Sequence, residues 1–349
     1  MNTVIKQAIN NLYQKLKELN LDSINISAYN KKYLSNYINN YALFMSLYEQ
    51  LMNKAIKRLS MPIEEATFID YGGGCGILSF LAKEAGFKII VYNDIYEVSV
   101  NDAQAISQAL KIKIDYFITG DIEELIHETH RLNLQPDLIC SFDVWEHIYN
   151  WKLWIEKVLE LNGNFSLLFM TSANSANPFV KRKIKKIQLQ TEYEGFNKNE
   201  GWKDIDLHTA FFTERKKIIS DAFPQLNKID VALLAKKSRG LMKAGIEKLA
   251  ADFLETKKID YHFNHPTNTC DPYTGIWTEN LISIKEIKNF AKEKNLRIDI
   301  TNALYGYSQS KIQNTIKYVL NVFMKFSGKH NLFFSPVYVL EFTVRHSKN

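Results

Sequence analysis

Asp70-Tyr71-Gly72-Gly73-Gly74-Cys75-Gly76 is the stretch whose reading decides the fold. A short β-rich run, 67–71, leads into it, and an apolar helical pattern, 77–85, follows directly. Glycines let the backbone turn sharply there, and their missing side chains let a ligand lie against the main chain. The helix that follows aims its N-terminal amides and dipole at whatever occupies the turn. In the dinucleotide fingerprint the spacing is GxGxxG and the ligand is a pyrophosphate. Here the spacing is GxGxG, and Asp70 stands two residues ahead of the first glycine. A carboxylate at that point is poor company for a phosphate and suits a cationic amino group.

Working outward, short apolar runs alternate with amphipathic stretches. Strands are expected at 67–71, 87–93, 115–119, 137–142 and 164–171, with helices at 77–85, 96–110, 122–132 and 151–161 between them. Such alternation means βαβ units and a parallel sheet covered on both faces. Residues 1–60 lack strand patterning and read as a helical segment ending near Leu59. The alternation breaks over 175–281, which is Lys-rich, aromatic and irregular, and resumes with a helix at 284–294 and a strand at 297–305. A helix at 311–326 and an apolar segment at 333–344 close the chain. An insertion of about a hundred residues after the fifth strand is long enough to be a lid. The expected organisation is therefore an N-terminal helical segment, 1–60; an α/β core, 61–174 and 282–349; and an inserted substrate-recognition region, 175–281.

Composition narrows the class. With 349 residues, 46% of them hydrophobic and 23% charged, and only 14 Gly and 7 Pro, disorder and collagen-like repeats are excluded. No apolar run approaches the roughly 20 residues of a spanning helix. The start, MNTVIKQAINNLYQKL, has no apolar h-region, so neither a signal peptide nor an anchor is expected. Cys75, Cys140 and Cys270 form no disulfide framework or metal knuckle, which points to a reducing cytoplasm. The net charge is +6, but only seven of the 44 basic residues are arginine, the better residue for bidentate recognition of phosphates and bases. A nucleic-acid partner is not expected. The densest basic run, Lys181-Arg182-Lys183-Ile184-Lys185-Lys186, reads as a solvated helix face or, for an RNA methyltransferase, as part of a nucleic-acid surface.

Asp70 and the GxGxG loop, with Asp94 ending the second strand, resemble the class I S-adenosylmethionine-dependent methyltransferases. The resemblance continues in chain order. Asp121, in Ile118-Thr-Gly-Asp-Ile122, matches the acid after the third strand. Pro136-Asp-Leu-Ile-Cys-Ser-Phe142-Asp143-Val-Trp-Glu146-His147-Ile148 matches the motif after the fourth. About 180 residues are covered. The resemblance implies a Rossmann-like seven-stranded methyltransferase sheet with its last strand antiparallel, a helical N-terminal leader and a large insertion after the fifth strand. It implies S-adenosyl-L-methionine as cofactor, bound by Asp70, Tyr71, Gly72, Gly74, Gly76, Asp94, Ile95, Asp121, Ile122 and Phe142. Asp94 would hold the ribose hydroxyls and Asp121 the adenine amine.

The cluster Asp143-Val-Trp-Glu146-His147 falls past the end of a strand, where ligands meet open α/β sheets. It is similar to the acid-x-x-Glu-His of the ubiquinone-pathway O-methyltransferases and the small-RNA 3′-terminal 2′-O-methyltransferases. There such a set, with a later histidine, holds a divalent metal. His208, in Asp206-Leu-His-Thr-Ala-Phe-Phe212, is the later candidate here. Asp143, Glu146, His147 and His208 could hold Mg, Mn or Zn, which would acidify and orient an attacking hydroxyl. Alternatively His147 or His208 is a metal-free general base, or His147 is structural.

Within the insertion, His265-Pro-Thr-Asn-Thr-Cys-Asp-Pro-Tyr-Thr-Gly-Ile-Trp-Thr-Glu279 is densely polar and aromatic, and Asp271-Pro-Tyr-Thr-Gly275 is a turn by its chemistry. His265, Asp271, Tyr273, Trp277 and Glu279 could bind a polyhydroxylated ligand or could anchor the loop. The activity expected is O-methylation of a small-molecule acceptor, a sugar, sugar nucleotide or phenol, by in-line transfer. The alternatives are a metal-assisted RNA 2′-O-methyltransferase and a cofactor-binding protein without catalysis.

Overall fold

The structure, a computed structural model, describes residues 3–196, 207–307, 310–326 and 331–344. The chain divides into two compact units. The first comprises Met1–Trp145, Trp151–Asn177 and Ile284–Asn349, and the second Glu146–Asn150 and Pro178–Ser283.

In the first unit three helices, α1 (Thr3–Glu18), α2 (Ala28–Asn39) and α3 (Tyr41–Ile56), precede the sheet. Strands β1 (Thr67–Tyr71), β2 (Ile89–Asp94), β3 (Tyr116–Thr119), β4 (Leu138–Phe142) and β5 (Phe165–Thr171) alternate with α4 (Ile77–Glu84), α5 (Glu97–Leu110), α6 (Ile122–Arg131) and α7 (Trp151–Val158). The seven-stranded sheet has the order β3-β2-β1-β4-β5-β7-β6. Strands β1 to β5 pair in parallel. Strand β7 (Tyr338–Val344) runs antiparallel to both β5 and β6 (Arg297–Asn302). This is the sheet expected from the sequence, including the inverted last strand. Central strands show why they read as continuous apolar runs: every residue of β1 and β5 is buried, as sheets covered on both faces require. Helix α12 (Ile284–Glu293) precedes β6, and α13 (Lys311–Phe326) precedes β7.

The leader is not a separate body. Ile5, Ala8, Leu12 and Leu16 of α1 and Tyr48, Leu51 and Met52 of α3 share one buried cluster with Phe68, Phe80, Leu81 and Tyr92. Sequence patterning marked these residues as helical but not as part of the sheet's own cover.

The second unit holds α8 (Pro178–Tyr193), α9 (Phe211–Ala222), α10 (Lys228–Lys237) and α11 (Lys243–Thr256). Its own core is built from Ile218, Ile219, Val231, Leu234, Ile246, Leu249 and Phe253. The region expected to be irregular is largely helical among its described residues. No helix among the described residues is long and apolar enough to cross a membrane.

Candidate cofactor and catalytic site

The strand order reverses between β1 and β4, and ligands of open α/β sheets gather outside such a switch point. The glycine loop leaves β1 there. Gly72, Gly74 and Gly76 all have positive φ, at +72°, +54° and +85°, the left-handed region that glycine enters without steric cost. Their surroundings differ. A Cβ on Gly72 would meet Val144 at 2.6 Å, whereas one on Gly74 would have nothing within 4 Å, so that Gly74 borders open space. Gly73, the variable position of the motif, is just as restricted. A Cβ there would lie 2.5 Å from the Tyr92 ring and 2.9 Å from Asp70 Oδ2. The spacing of the motif did not mark it.

Two carboxylates shape this loop. Asp70 Oδ2 accepts from the Ser79 amide at 2.9 Å and the Ser79 hydroxyl at 2.7 Å, tying β1 to the first turn of α4. Burial pushes its carboxyl up from 3.8 to about 7, against the two Ser79 bonds and with a further push from Asp94. Asp94 Oδ2 accepts from the Gly74 amide at 2.9 Å, and its Oδ1 from the Tyr96 amide at 2.9 Å. The Tyr92 hydroxyl donates to the Gly74 carbonyl at 2.5 Å. Both acids thus hold the turn in shape from below and from the side.

The remaining cofactor candidates ring the same end of the sheet. Ile95 is apolar and 56% exposed, a surface free to pack on a base. Asp121 caps α6, its Oδ1 accepting from the Glu123 amide at 2.9 Å. Ile122 and Tyr71 are buried, and the Tyr71 ring lies edge-on to Trp154 at 4.9 Å. Phe142 meets Tyr48 edge-on at 4.8 Å.

Helix α2 supplies residues that the motifs did not reveal. Tyr29, Tyr33 and Tyr37 recur every four residues, so they stand one above another on a single face. The Tyr29 and Tyr33 rings are 4.7 Å apart, and the Tyr37 hydroxyl pairs with that of Tyr48 at 2.9 Å. Burial, then neighbouring Tyr33 and Asp94, push the Tyr29 hydroxyl well above its ordinary value. Burial and the neighbouring Cys75 do the same for Tyr37, which also feels Asp143. Through Tyr48, whose ring meets Phe142, the tyrosine row reaches the end of β4. Spacing in the sequence carried this signal, but only a tertiary contact makes it part of a site.

Asp143 has a left-handed backbone, φ +52°. Its Oδ1 accepts from the Ser172 amide at 2.8 Å, and its own amide donates to the Met170 carbonyl. One oxygen of this proposed metal ligand is thereby held at the end of β5.

His147 lies in the second unit. Its Nδ1 is 2.8 Å from the Trp277 carbonyl. A carbonyl can only accept, so Nδ1 carries the proton and Nε2 keeps its lone pair. Glu146 is fully buried, and its carbonyl accepts from the Asn280 amide. His208 has a buried Nδ1 with no partner among the described residues, and its carbonyl accepts from the Phe196 amide at 2.7 Å; Asp206 lies outside the described residues.

Glu146, His147 and His208 do not bring their ligand atoms within 4.8 Å of one another. Among the described residues only the exposed Glu124, His127 and Glu128 do so. The donor set of the second unit therefore does not fit a divalent ion, and the metal reading is corrected here. The separation has a local cause. The turn containing His147 is tied to the segment 277–280, while His208 is tied to the chain after α8.

The polar-aromatic segment is mostly committed to its own architecture. Trp277 is only 7% exposed, its indole donates to the Tyr149 carbonyl at 2.9 Å, and its ring is flanked in near-parallel orientation by Tyr149 and Phe263. Of the two roles read for Trp277, ligand stacking and anchoring of the loop, these contacts fit the anchor. Asp271 Oδ1 accepts from the amides of Tyr273 and Thr274, holding the turn. Tyr273 is 40% exposed and donates to Glu214. Glu279 has φ +51°, and its carbonyl accepts from Gln188. The Nδ1 of His265 accepts from the amides of Thr267 and Asn268.

A family described as "Methyltransferase domain" matches residues 44–216. The chain is also similar to solved structures. An S-adenosylmethionine-dependent methyltransferase from Mesorhizobium loti is 12% identical, with 86% of this chain and 98% of that one covered and a TM-score of 0.40. The plantazolicin methyltransferase BpumL in complex with SAH is 12% identical, with 98% and 99% covered and a TM-score of 0.40. No curated protein matches the sequence.

Proposed function

We propose that this chain, which belongs to the class I S-adenosylmethionine-dependent methyltransferases, O-methylates a hydroxyl of a small-molecule acceptor with His147 as general base. The observation that carries the reading is the bond from His147 Nδ1 to the Trp277 carbonyl. It fixes both ring orientation and tautomer, leaving Nε2 to receive the proton that a hydroxyl loses as it attacks a methyl group.

The cofactor residues follow from the geometry of the loop. The open side of Gly74 lets a ligand approach the main chain, the Asp94 carboxylate is held still by two amides, and exposed Ile95 offers apolar cover for an adenine ring. Asp121 is fixed as the cap of α6, two residues past the end of β3. When bound, S-adenosylmethionine supplies an electrophilic methyl on a sulfonium. The chain's contribution is alignment, proton removal and exclusion of water.

The test is His147→Gln, assayed with S-adenosylhomocysteine binding and with methyl transfer to a pool of hydroxylated acceptors. Binding should be unchanged while turnover falls by about 10²–10⁴-fold, the usual share of a general base. Full turnover in that variant would remove His147 from the chemistry.

A further inference from the structure

The basic run of α8 is not uniform. Ile184, Gln188, Thr191 and Glu192 form the buried side of the helix, while Arg182, Lys183 and Lys186 are exposed. Lys181 and Lys185 are only half-buried because they continue the buried side by one and two turns towards the N-terminus. That side of α8 meets the segment after residue 265. Gln188 donates to Asn268 at 2.8 Å and accepts from the Thr267 hydroxyl at 2.7 Å.

The same Thr267 and Asn268 present their amides to His265 Nδ1, at 3.3 and 2.8 Å. With Nδ1 accepting, the neutral ring carries its proton on Nε2, a donor. Arg239 reaches the same residue, its Nη2 donating to the His265 carbonyl at 2.7 Å, with its guanidinium over the Phe263 ring at 5.8 Å. Burial, then Lys185, Arg239 and Lys181, push the His265 imidazole down to about 4, so it stays neutral near pH 7. No ion pair engages Lys181, Lys185 or Arg239 among the described residues, whereas the half-buried Lys15, Lys31, Arg58, Lys83 and Lys157 each have one. Three cations therefore act on the His265 imidazole from α8 and from Arg239, and among the described residues none of the three is in an ion pair, an arrangement that repels itself until an anion joins it.

We propose that Lys181, Lys185, Arg239 and the Nε2–H of His265 form a subsite for a phosphate group carried by the acceptor, a phosphomonoester or diphosphate. This rests on the methyltransferase reading for the word acceptor, but not for the anion. It names the acceptor class within that reading: a phosphorylated hydroxyl compound, of which a sugar nucleotide is one example. The subsite holds the phosphate and takes no part in methyl transfer.

Calorimetry on the full chain tests this, using inorganic pyrophosphate, UDP-glucose and free glucose as probes and S-adenosylhomocysteine as the control. Lys181→Ala/Lys185→Ala is compared with Lys183→Ala/Lys186→Ala, which removes equal charge from the outward face. UDP-glucose should bind more tightly than pyrophosphate, and glucose not at all. The inward pair should weaken UDP-glucose at least about tenfold, as loss of charge-assisted bonds does, and the outward pair should leave it unchanged. S-adenosylhomocysteine affinity should be equal in all variants. Absence of any phosphate binding, or equal losses in the two double variants, overturns the subsite. Pyrophosphate binding as tight as UDP-glucose overturns its assignment to the acceptor. Phosphate binding without S-adenosylhomocysteine binding overturns the methyltransferase reading and leaves the anion subsite standing.

Discussion

At the scale of single residues, Asp70 is where the reading of the sequence and the structure diverge most usefully. The motif presents it as an acid facing a cationic ligand; the structure shows it buried beneath the loop and bonded to Ser79. Both can hold, because a carboxyl pushed up to about 7 by burial is short of positive charge. The raised value means that the folded chain favours the protonated form. Asp70 therefore contributes stability that is complete below about pH 4 and is lost as pH rises through about 7. A ligand ammonium favours the ionised form, so S-adenosylhomocysteine affinity should rise over the same interval and level off above it. Calorimetry at stepped pH checks this, and Asp70→Asn should flatten the profile; a flat wild-type profile would separate Asp70 from the ligand's charge. Gly73 shows the opposite limit of legibility. Nothing in GxGxG distinguishes it, because its constraint comes from the Tyr92 ring, on the next strand of the chain.

Elements were legible where a local period fixed them. The five parallel strands and their helices follow from runs and alternation, and the inverted β7 from the resemblance. Helix α2 was legible as a helix but not as packing beside the glycine loop, where its Leu34 shares a buried cluster with Cys75, since its anchoring is entirely tertiary. Buried Asp102 of α5 accepts from the Ser27 amide and hydroxyl and from Asn30 Nδ2. One carboxylate thus pins the N-terminus of α2 to the helix that follows Asp94. Replacing it leaves Asn30, only 1% exposed, without that acceptor. Asp102→Ala should cost about 2–3 kcal/mol, read from the denaturant midpoint. It should also weaken S-adenosylhomocysteine, because Tyr29 and Tyr33 ride on the same helix. A variant that loses stability yet binds the ligand normally would show that α2 covers the crevice without contributing to it.

The whole molecule joins a motif-rich unit to one that carries few motifs, and this explains what could be read. The first unit's function leaves a spacing signature because a nucleoside must meet backbone at fixed points. The subsite proposed in the second unit draws its side chains from α8, from the chain after α10 and from the segment 265–280, so its chemistry is scattered in sequence. Its architecture depends on a buried ion pair, Glu192 with Arg215, at 1% and 0% side-chain exposure. Arg215 Nε also donates to the Ala235 carbonyl at 2.9 Å, and Glu192 Oε2 accepts from the Thr269 hydroxyl at 2.7 Å. Helices α8, α9 and α10 and the 265–280 segment therefore meet at one charge pair. Removing one partner leaves the other charge buried, at a cost of about 3–5 kcal/mol. Since every candidate cofactor residue lies in the first unit, Arg215→Met should abolish methyl transfer while S-adenosylhomocysteine still binds with near-native affinity. Thermal unfolding of the variant should then show an early transition that the ligand does not shift, followed by a later one that it does. A single transition, shifted as a whole by S-adenosylhomocysteine, would instead mean that the two units fold as one and that the buried pair supports the cofactor site as well.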